Sequence, residues 1–504
     1  MNRAIAASAM GLALTALCGA GFAQPPSPQA NDSYFKAGQA DLTRRLATKP
    51  IKGPAKNVIL FIGDGMGVST VTAARIYAGQ SRGVDGESYN LTGDLLPYSA
   101  LVKTYSHDTQ VADSAPTATA LMTGVKTGNG VLGVDQTVPD GDCAAAKKGA
   151  VKTLMEMAED AGMATGVVTT TSVTHATPAA TYAHSADRDW ESDANLSAKA
   201  KAEGCADIAR QLIEWPHGDG FEVIFGGGRA HLTPKTSADV EFPDRNGRRN
   251  DGRDLIGEWR AKTKGAYVWN KQGFDAVDPR TTRHLMGLFN PDMMAWELDR
   301  ADDKGGEPSL AEMTAKAIAV LAQQKTGYVL MVEGGRIDHA NHANNAARAL
   351  SDAVAFDDAV KTALAMTNPK DTLIVVTADH SHGLTISGYP KRGNPILGPV
   401  IGVNGKPMLG RDGKGYTTLT YATGPGAAAK DEPRRDPLTE DTFAKDYRQS
   451  ALIGMGGAAH GGEDVAVRAI GPEAHLLTGT IEQNAIFHVM AHALGKRLEV
   501  KRRK

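Results

Sequence analysis

Short apolar runs at 58–62, 166–170, 221–225, 328–332 and 372–376 punctuate the chain, several of them ending at glycine or an acidic residue. A run with no polar alternation has no face to offer water, so each reads as a strand buried on both sides. Between and around them, helical stretches fall at 71–78, 152–161, 206–214, 310–324 and 343–366. Strands alternating with helices predict an α/β fold, a mostly parallel central sheet flanked by helices on both faces. Ligands of such sheets bind beyond the carboxyl ends of the strands, and the polar clusters of this chain stand there.

Some stretches depart from the rhythm. Residues 24–54 carry Pro25, Pro26 and Pro28 and read as a mobile lead-in with one helix around 34–47. The main domain is expected over 55–495, with an Asp-, Arg- and Gly-rich insertion at about 233–273 and a small surface subdomain at about 393–458. Residues 1–23 have the charge, apolar stretch and small-residue end of an export signal, which implies a periplasmic or secreted protein. The basic end, 496–504, reads as a solvated tail. No internal repeat is evident.

Composition narrows the classes. With 504 residues, 41% hydrophobic and 22% charged, the chain has the make-up of an ordinary globular protein. A net charge of −2 supplies no field for nucleic acid. Beyond the signal only Cys143 and Cys205 remain; in an oxidising compartment one disulfide is the simplest reading, with two buried thiols as the alternative.

Candidate chemistry gathers at a few places. In 111–120, Asp113 and Ser114 precede small residues and Pro116, so Ser114 reads either as a helix cap or as a nucleophile with room for an anion. In 333–342, Asp338 and His342 are four apart and share a helix face, while Glu333 leaves the preceding strand. In 377–382, Asp379 and His380 can meet one ion only if the strand ends there. Asp64 lies between glycines at the end of the first strand, and His460 in a small-residue loop. Together these donors suffice for two or three metal ions at one sheet edge.

The segments 61–67, 113–115, 377–382 and 460–465 together resemble the alkaline phosphatase family, in order and over about 56–494. The stretches 168–171, 175–178 and 182–184 are more similar to its animal branch than to its enteric bacterial branch, and the two cysteines stand where animal members have a disulfide. The resemblance implies hydrolysis of phosphate monoesters through a phosphoserine at Ser114, two zinc ions and one magnesium per chain, and a homodimer. It assigns one zinc to Asp338, His342 and His460, the other to Asp64, Asp379 and His380, and magnesium to Glu333, Thr177 and Asp64. Arg188 would clamp the phosphoryl oxygens, where a planar guanidinium matches two of them.

His175 and His339 stand on the substrate side, where the enteric branch carries Asp and Lys. A calcium site would need Glu241 and Asp302 or Asp303, but Asn290 stands where animal members carry an acidic ligand. The end at Lys504 lacks the apolar tail of lipid-anchored relatives, so no stable membrane anchor is expected. A sulfatase would need Arg at the position of Ala118. A phosphodiesterase of the same superfamily, or a protein that merely binds metal or phosphate, is the remaining alternative; the second gives no reason for Ser114 among the ligands.

Overall fold

The computed structural model describes residues 28–499. The expected export signal at 1–23 and residues 500–504 of the basic end lie outside them. Residues 28–49 hold a helix, Ser33–Ala47, where the pattern places one. Asp32 caps it, accepting from the Phe35 N–H at 2.9 Å, and none of its residues is buried.

From Pro50 onward the chain is built on a ten-stranded sheet. In chain order the strands are β1 (Asn57–Gly63), β2 (Tyr98–Lys103), β3 (Ala164–Ser172), β4 (Val223–Gly227), β5 (Ala266–Val268), β6 (Leu285–Leu288), β7 (Tyr328–Gly334), β8 (Thr372–Ala378), β9 (Ser381–His382), β10 (Leu384–Ile386), β11 (Leu419–Gly424), β12 (Ala451–Gly454), β13 (His460–Gly461), β14 (Val465–Ile470) and β15 (Gly479–Glu482). The large sheet runs β15-β2-β14-β8-β1-β7-β3-β4-β6-β5, and only β14 is antiparallel to its neighbours.

All seven residues of β1, of β7 and of β8 are buried, as expected of strands covered on both faces. The helix Ala346–Met366 helps cover them: Phe356 meets Phe61 of β1 edge-on, with ring centroids 5.8 Å apart. Such a pair contributes about 1 kcal/mol beyond the burial of its area.

The expected insertion at 233–273 divides in two. Its first part is irregular, but the helix Leu255–Thr263 leads into β5, the edge strand of the large sheet. β5 escapes a periodicity reading because three residues are too few to show a pattern. Within 393–458, β11 pairs with β10 on one side and β12 on the other in a separate three-stranded sheet, and β12 exposes Leu452 and Ile453. Cys143 and Cys205 are joined, 62 positions apart; closing a loop of that span stabilises by about 4 kcal/mol on the chain-entropy model.

Candidate active site

Four adjacent strands deliver the site. In register, Ile62 of β1 lies between Glu333 of β7 and Thr377 of β8, and Glu333 also pairs with Thr169 of β3. β1 and β8 end one residue before Asp64 and Asp379, so Asp64, Glu333 and Asp379 share the carboxyl-end rim, all fully buried. The turn after β1 needs Gly65 at φ +62°, and its N–H donates to Asp379 Oδ1 at 3.1 Å.

The helix Ser114–Thr123 starts at this rim with every residue buried. Its cap is Asp113, which accepts from the Ala115 N–H at 2.6 Å. The capping role that Ser114 might have filled is therefore taken. Ser114 Oγ instead lies 3.1 Å from His380 Nε2 and 3.3 Å from each Asp64 oxygen.

Asp338 and His342 stand one turn apart on the helix Arg336–His342, with His342 Nε2 3.2 Å from Asp338 Oδ2. The helix expected over 343–366 runs from Ala346 to Met366, separate from Arg336–His342. Asn344 adopts φ +54°, and the Asn345 side chain caps the next helix by accepting from the Arg348 N–H. His460 arrives through β13, which pairs with β9 and sets His460 opposite His382.

Proton positions follow from the partners. Nδ1 of His342, His380 and His460 lies 2.6, 3.0 and 2.8 Å from the carbonyls of Ala458, Ser381 and Ala112. A carbonyl only accepts, so Nδ1 of each ring carries a proton and Nε2 is the nitrogen left to face an ion. His342 Nε2 and His460 Nε2 are 3.2 Å apart. Two lone pairs that close repel unless a cation stands between them.

The spacing fits an ion. Ligand atoms about 2.0–2.1 Å from a tetrahedral zinc lie about 3.3 Å from one another. Around Asp338 the separations are 3.2 Å to His342 and 3.6 Å to His460. Around His380 they are 3.3 Å to Asp64 and 3.4 Å to Asp379. A third set, Asp64, Glu333 and Thr177, is all oxygen, and Glu333 Oε1 and Thr177 Oγ1 are buried with no hydrogen bond. Unpartnered buried oxygens suit a hard cation.

Charge crowding points the same way. Burial and then the Asp64 charge push Glu333 well above the usual carboxylate range and Asp379 up to about 7. Burial opposes ionisation of Asp338 too, yet the adjoining His342 and His382 hold it well below that range. Buried carboxylates this close need positive charge beside them.

Arg188 Nη1 donates to Asp113 Oδ1 at 3.2 Å and Nη2 to His175 Nε2 at 3.1 Å. His175 meets His339 edge to face, centroids 5.3 Å apart. All twelve residues singled out in the sequence therefore gather in this one region. Sequence reasoning passed over His382, whose Nε2–H donates to Asp338 Oδ1 at 2.9 Å, and Thr169 and Thr171, whose hydroxyls donate to Glu333 Oε2. The alternation in Asp379-His380-Ser381-His382 was the available signal: two residues on, His382 returns to the side of His380.

The calcium expectation meets a different environment. Glu241 accepts from Arg229 Nη2 and from the Gly305 N–H, both at 3.1 Å. Asp302 turns to Lys445 at 3.0 Å, and Asn290 Nδ2 donates to Glu307 Oε1 at 2.9 Å. Asp303 alone keeps a buried oxygen without a partner. A guanidinium already supplies the positive charge there, and these residues do not fit a calcium ion.

Known proteins agree with the geometry. The sequence model described as alkaline phosphatase matches residues 55–496. The tissue-nonspecific alkaline phosphatase of Gallus gallus is 47% identical over 87% of this chain and 84% of its own length. The alkaline phosphatase of Gadus morhua is 44% identical over 93% and 98%. Among solved structures, Thermus thermophilus alkaline phosphatase superposes with a TM-score of 0.63 at 26% identity, covering 88% of this chain and 92% of that one. On these grounds the chain belongs to the alkaline phosphatase family and is a phosphoric monoester hydrolase.

Proposed function

We propose that the enzyme cleaves phosphate monoesters through a covalent phosphoserine at Ser114. The observation that carries this reading is the position of Ser114 Oγ, within 3.3 Å of Asp64 and His380, two members of one zinc-spaced donor set. Asp64, Asp379 and His380 would hold one zinc, Asp338, His342 and His460 the other, and Asp64, Glu333 and Thr177 magnesium. When bound, these ions supply Lewis-acid stabilisation of the attacking and leaving oxygens and lower the pKa of a coordinated hydroxyl.

The chain's own residues do the rest. Arg188, braced by Asp113, offers guanidinium N–H groups to the phosphoryl oxygens and orients phosphorus towards Ser114. Ser114 Oγ forms the new P–O bond as the ester P–O bond breaks and the alcohol departs. Water then cleaves the phosphoserine, releasing phosphate and restoring the hydroxyl. The positive end of the dipole of the helix Ser114–Thr123 lies at Ser114, where negative charge develops.

Phosphate release from an aryl monoester at alkaline pH with zinc and magnesium tests the reading, beside Ser114→Ala and the same aryl group as a diester and a sulfate. Fast monoester turnover that drops by about a thousandfold or more in Ser114→Ala is expected for loss of a nucleophile. Preference for the diester or sulfate would make the substrate class wrong. No turnover with metal bound would favour a binding protein.

The enzyme is further proposed to be exported and to act as a homodimer. In support of the second point, a partner copy would cover the exposed Leu452 and Ile453 on the edge strand β12. No helix among the described residues is long and apolar enough to cross a membrane.

A further inference from the structure

Against His339 lies an arrangement that the proposed chemistry leaves unused. Arg336 opens the helix that carries Asp338 and His342. Its guanidinium carbon stands 3.8 Å from the Trp296 ring centroid, and that of Arg348 4.7 Å from the same centroid. Arg348 is itself tied to Asp299 at 2.8 Å and Asp446 at 2.7 Å. Asp352, on the following helix, places near Arg336 a carboxyl whose pKa burial raises to about 8. Thus an aromatic face, a tethered second guanidinium and a buried carboxyl surround the Arg336 head group.

That head group makes one side-chain hydrogen bond, from Nη1 to His339 Nδ1 at 2.9 Å. A guanidinium has donors only. The contact therefore requires the lone pair of His339 on Nδ1 and its proton on Nε2. Across the ring contact, Arg188 imposes the opposite choice on His175, whose Nε2 accepts and whose Nδ1 carries the proton. His339 Nε2 has no hydrogen-bond partner among the described residues, so its N–H stays free.

We infer that Arg336, seated on Trp296, is a positioning residue: it fixes His339 as the Nε2–H tautomer, so that the ring offers a donor to the phosphoryl oxygens clamped by Arg188. The inference rests on the proposed monoester reaction for what receives that donor, but not for the tautomer itself. Arg336 touches no reacting atom. It acts through His339, and Trp296 supplies the flat surface that holds its plane.

The test uses Arg336→Met, which removes the donor, and Arg336→Lys, which keeps one donor without the planar stack. Each is made in the full chain, metal-loaded, and again in a His339→Gln background, where an amide donor has no tautomer to set. Readouts are kcat and KM for an aryl phosphate and the inhibition constant of inorganic phosphate. The tautomer is read separately from long-range proton–nitrogen spectra of histidine-labelled protein, with His339 assigned by its loss in His339→Gln.

Arg336→Met should raise KM and the phosphate inhibition constant about fivefold to tenfold, the worth of one hydrogen bond to a charged oxygen, with a smaller change in kcat. Arg336→Lys should recover most of that loss, and neither change should matter in the His339→Gln background. In the wild-type spectra His339 should show a protonated Nε2. An equal loss in both backgrounds would make the role of Arg336 merely structural and overturn the inference, as would a protonated Nδ1. Absence of monoester turnover in the wild type would instead defeat the proposed function, and the spectra would still decide the tautomer.

Discussion

His382 shows how much of the site is settled one side chain at a time. It is more deeply buried than His342 or His460, and its Nε2–H donates to Asp338, whereas backbone carbonyls bind the Nδ1 of those two and leave Nε2 facing the ion site. Its part is to hold the Asp338 carboxylate ionised and aimed. Replacing it by alanine should leave the fold intact but weaken zinc binding about tenfold to a hundredfold, as loss of such outer hydrogen bonds generally does. Competition for zinc against a chelator of known affinity measures this, and an unchanged affinity would return Asp338 to independence. Asp113 works at the same scale: by capping the helix it leaves Ser114 Oγ free, and by bonding Arg188 it ties the proposed clamp to the proposed nucleophile.

At the scale of elements, the turn between β1 and the helix Val68–Ser81 matters most. Gly65 is the residue whose backbone conformation the site cannot do without. A Cβ there would lie 2.9 Å from Asp338 Oδ1 and from His382 Cδ2, at a φ of +62°. Gly65→Ala should cost about 1–2 kcal/mol from the left-handed backbone alone, before any steric term. It should also displace Asp338. Denaturant unfolding of the metal-free variant reads the first effect and zinc titration the second; a variant with wild-type zinc affinity would show that the turn gives way elsewhere. The short pairing of β9 with β13 has a comparable role, since it alone carries His460 to His382.

At the scale of the whole molecule, the opposite end of the sheet carries a second group of buried carboxyls. Glu159 accepts from Thr165 Oγ1 at 2.7 Å, and Glu222 accepts from the Thr165 N–H at 2.8 Å. Burial first, and then the Glu222 charge, raise Glu159 far above its ordinary value of 4.5. Between that value and the raised one, the folded protein keeps a proton that the unfolded chain has released, so stability falls as pH rises through this window. Glu159→Gln cannot ionise and removes this loss. Its melting temperature relative to the parent should climb between about pH 5 and about pH 9, since the parent alone pays the linkage cost. A constant difference across that range would mean that Glu159 is already ionised in the fold.

Several features were determined by the sequence alone because their physics is local. Unbroken apolar runs over 58–62, 328–332 and 372–376 have no polar face and must be buried on both sides, which they are in β1, β7 and β8. The four-residue spacing of Asp338 and His342 places them on one helix face wherever that helix lies. The strands β2 and β14 were missed because they alternate buried and more exposed positions without a long apolar run. What only the tertiary structure decided is the order β8-β1-β7-β3, which brings Asp379, Asp64, Glu333 and Thr169 to one rim from across some 315 positions of chain. Strand order depends on pairing between distant segments, which no local pattern encodes. The same holds for the histidine protons: they are assigned by carbonyls, a carboxylate and guanidinium groups, several of them far away in sequence, so that which ring binds, which one steers and which one donates follows from packing.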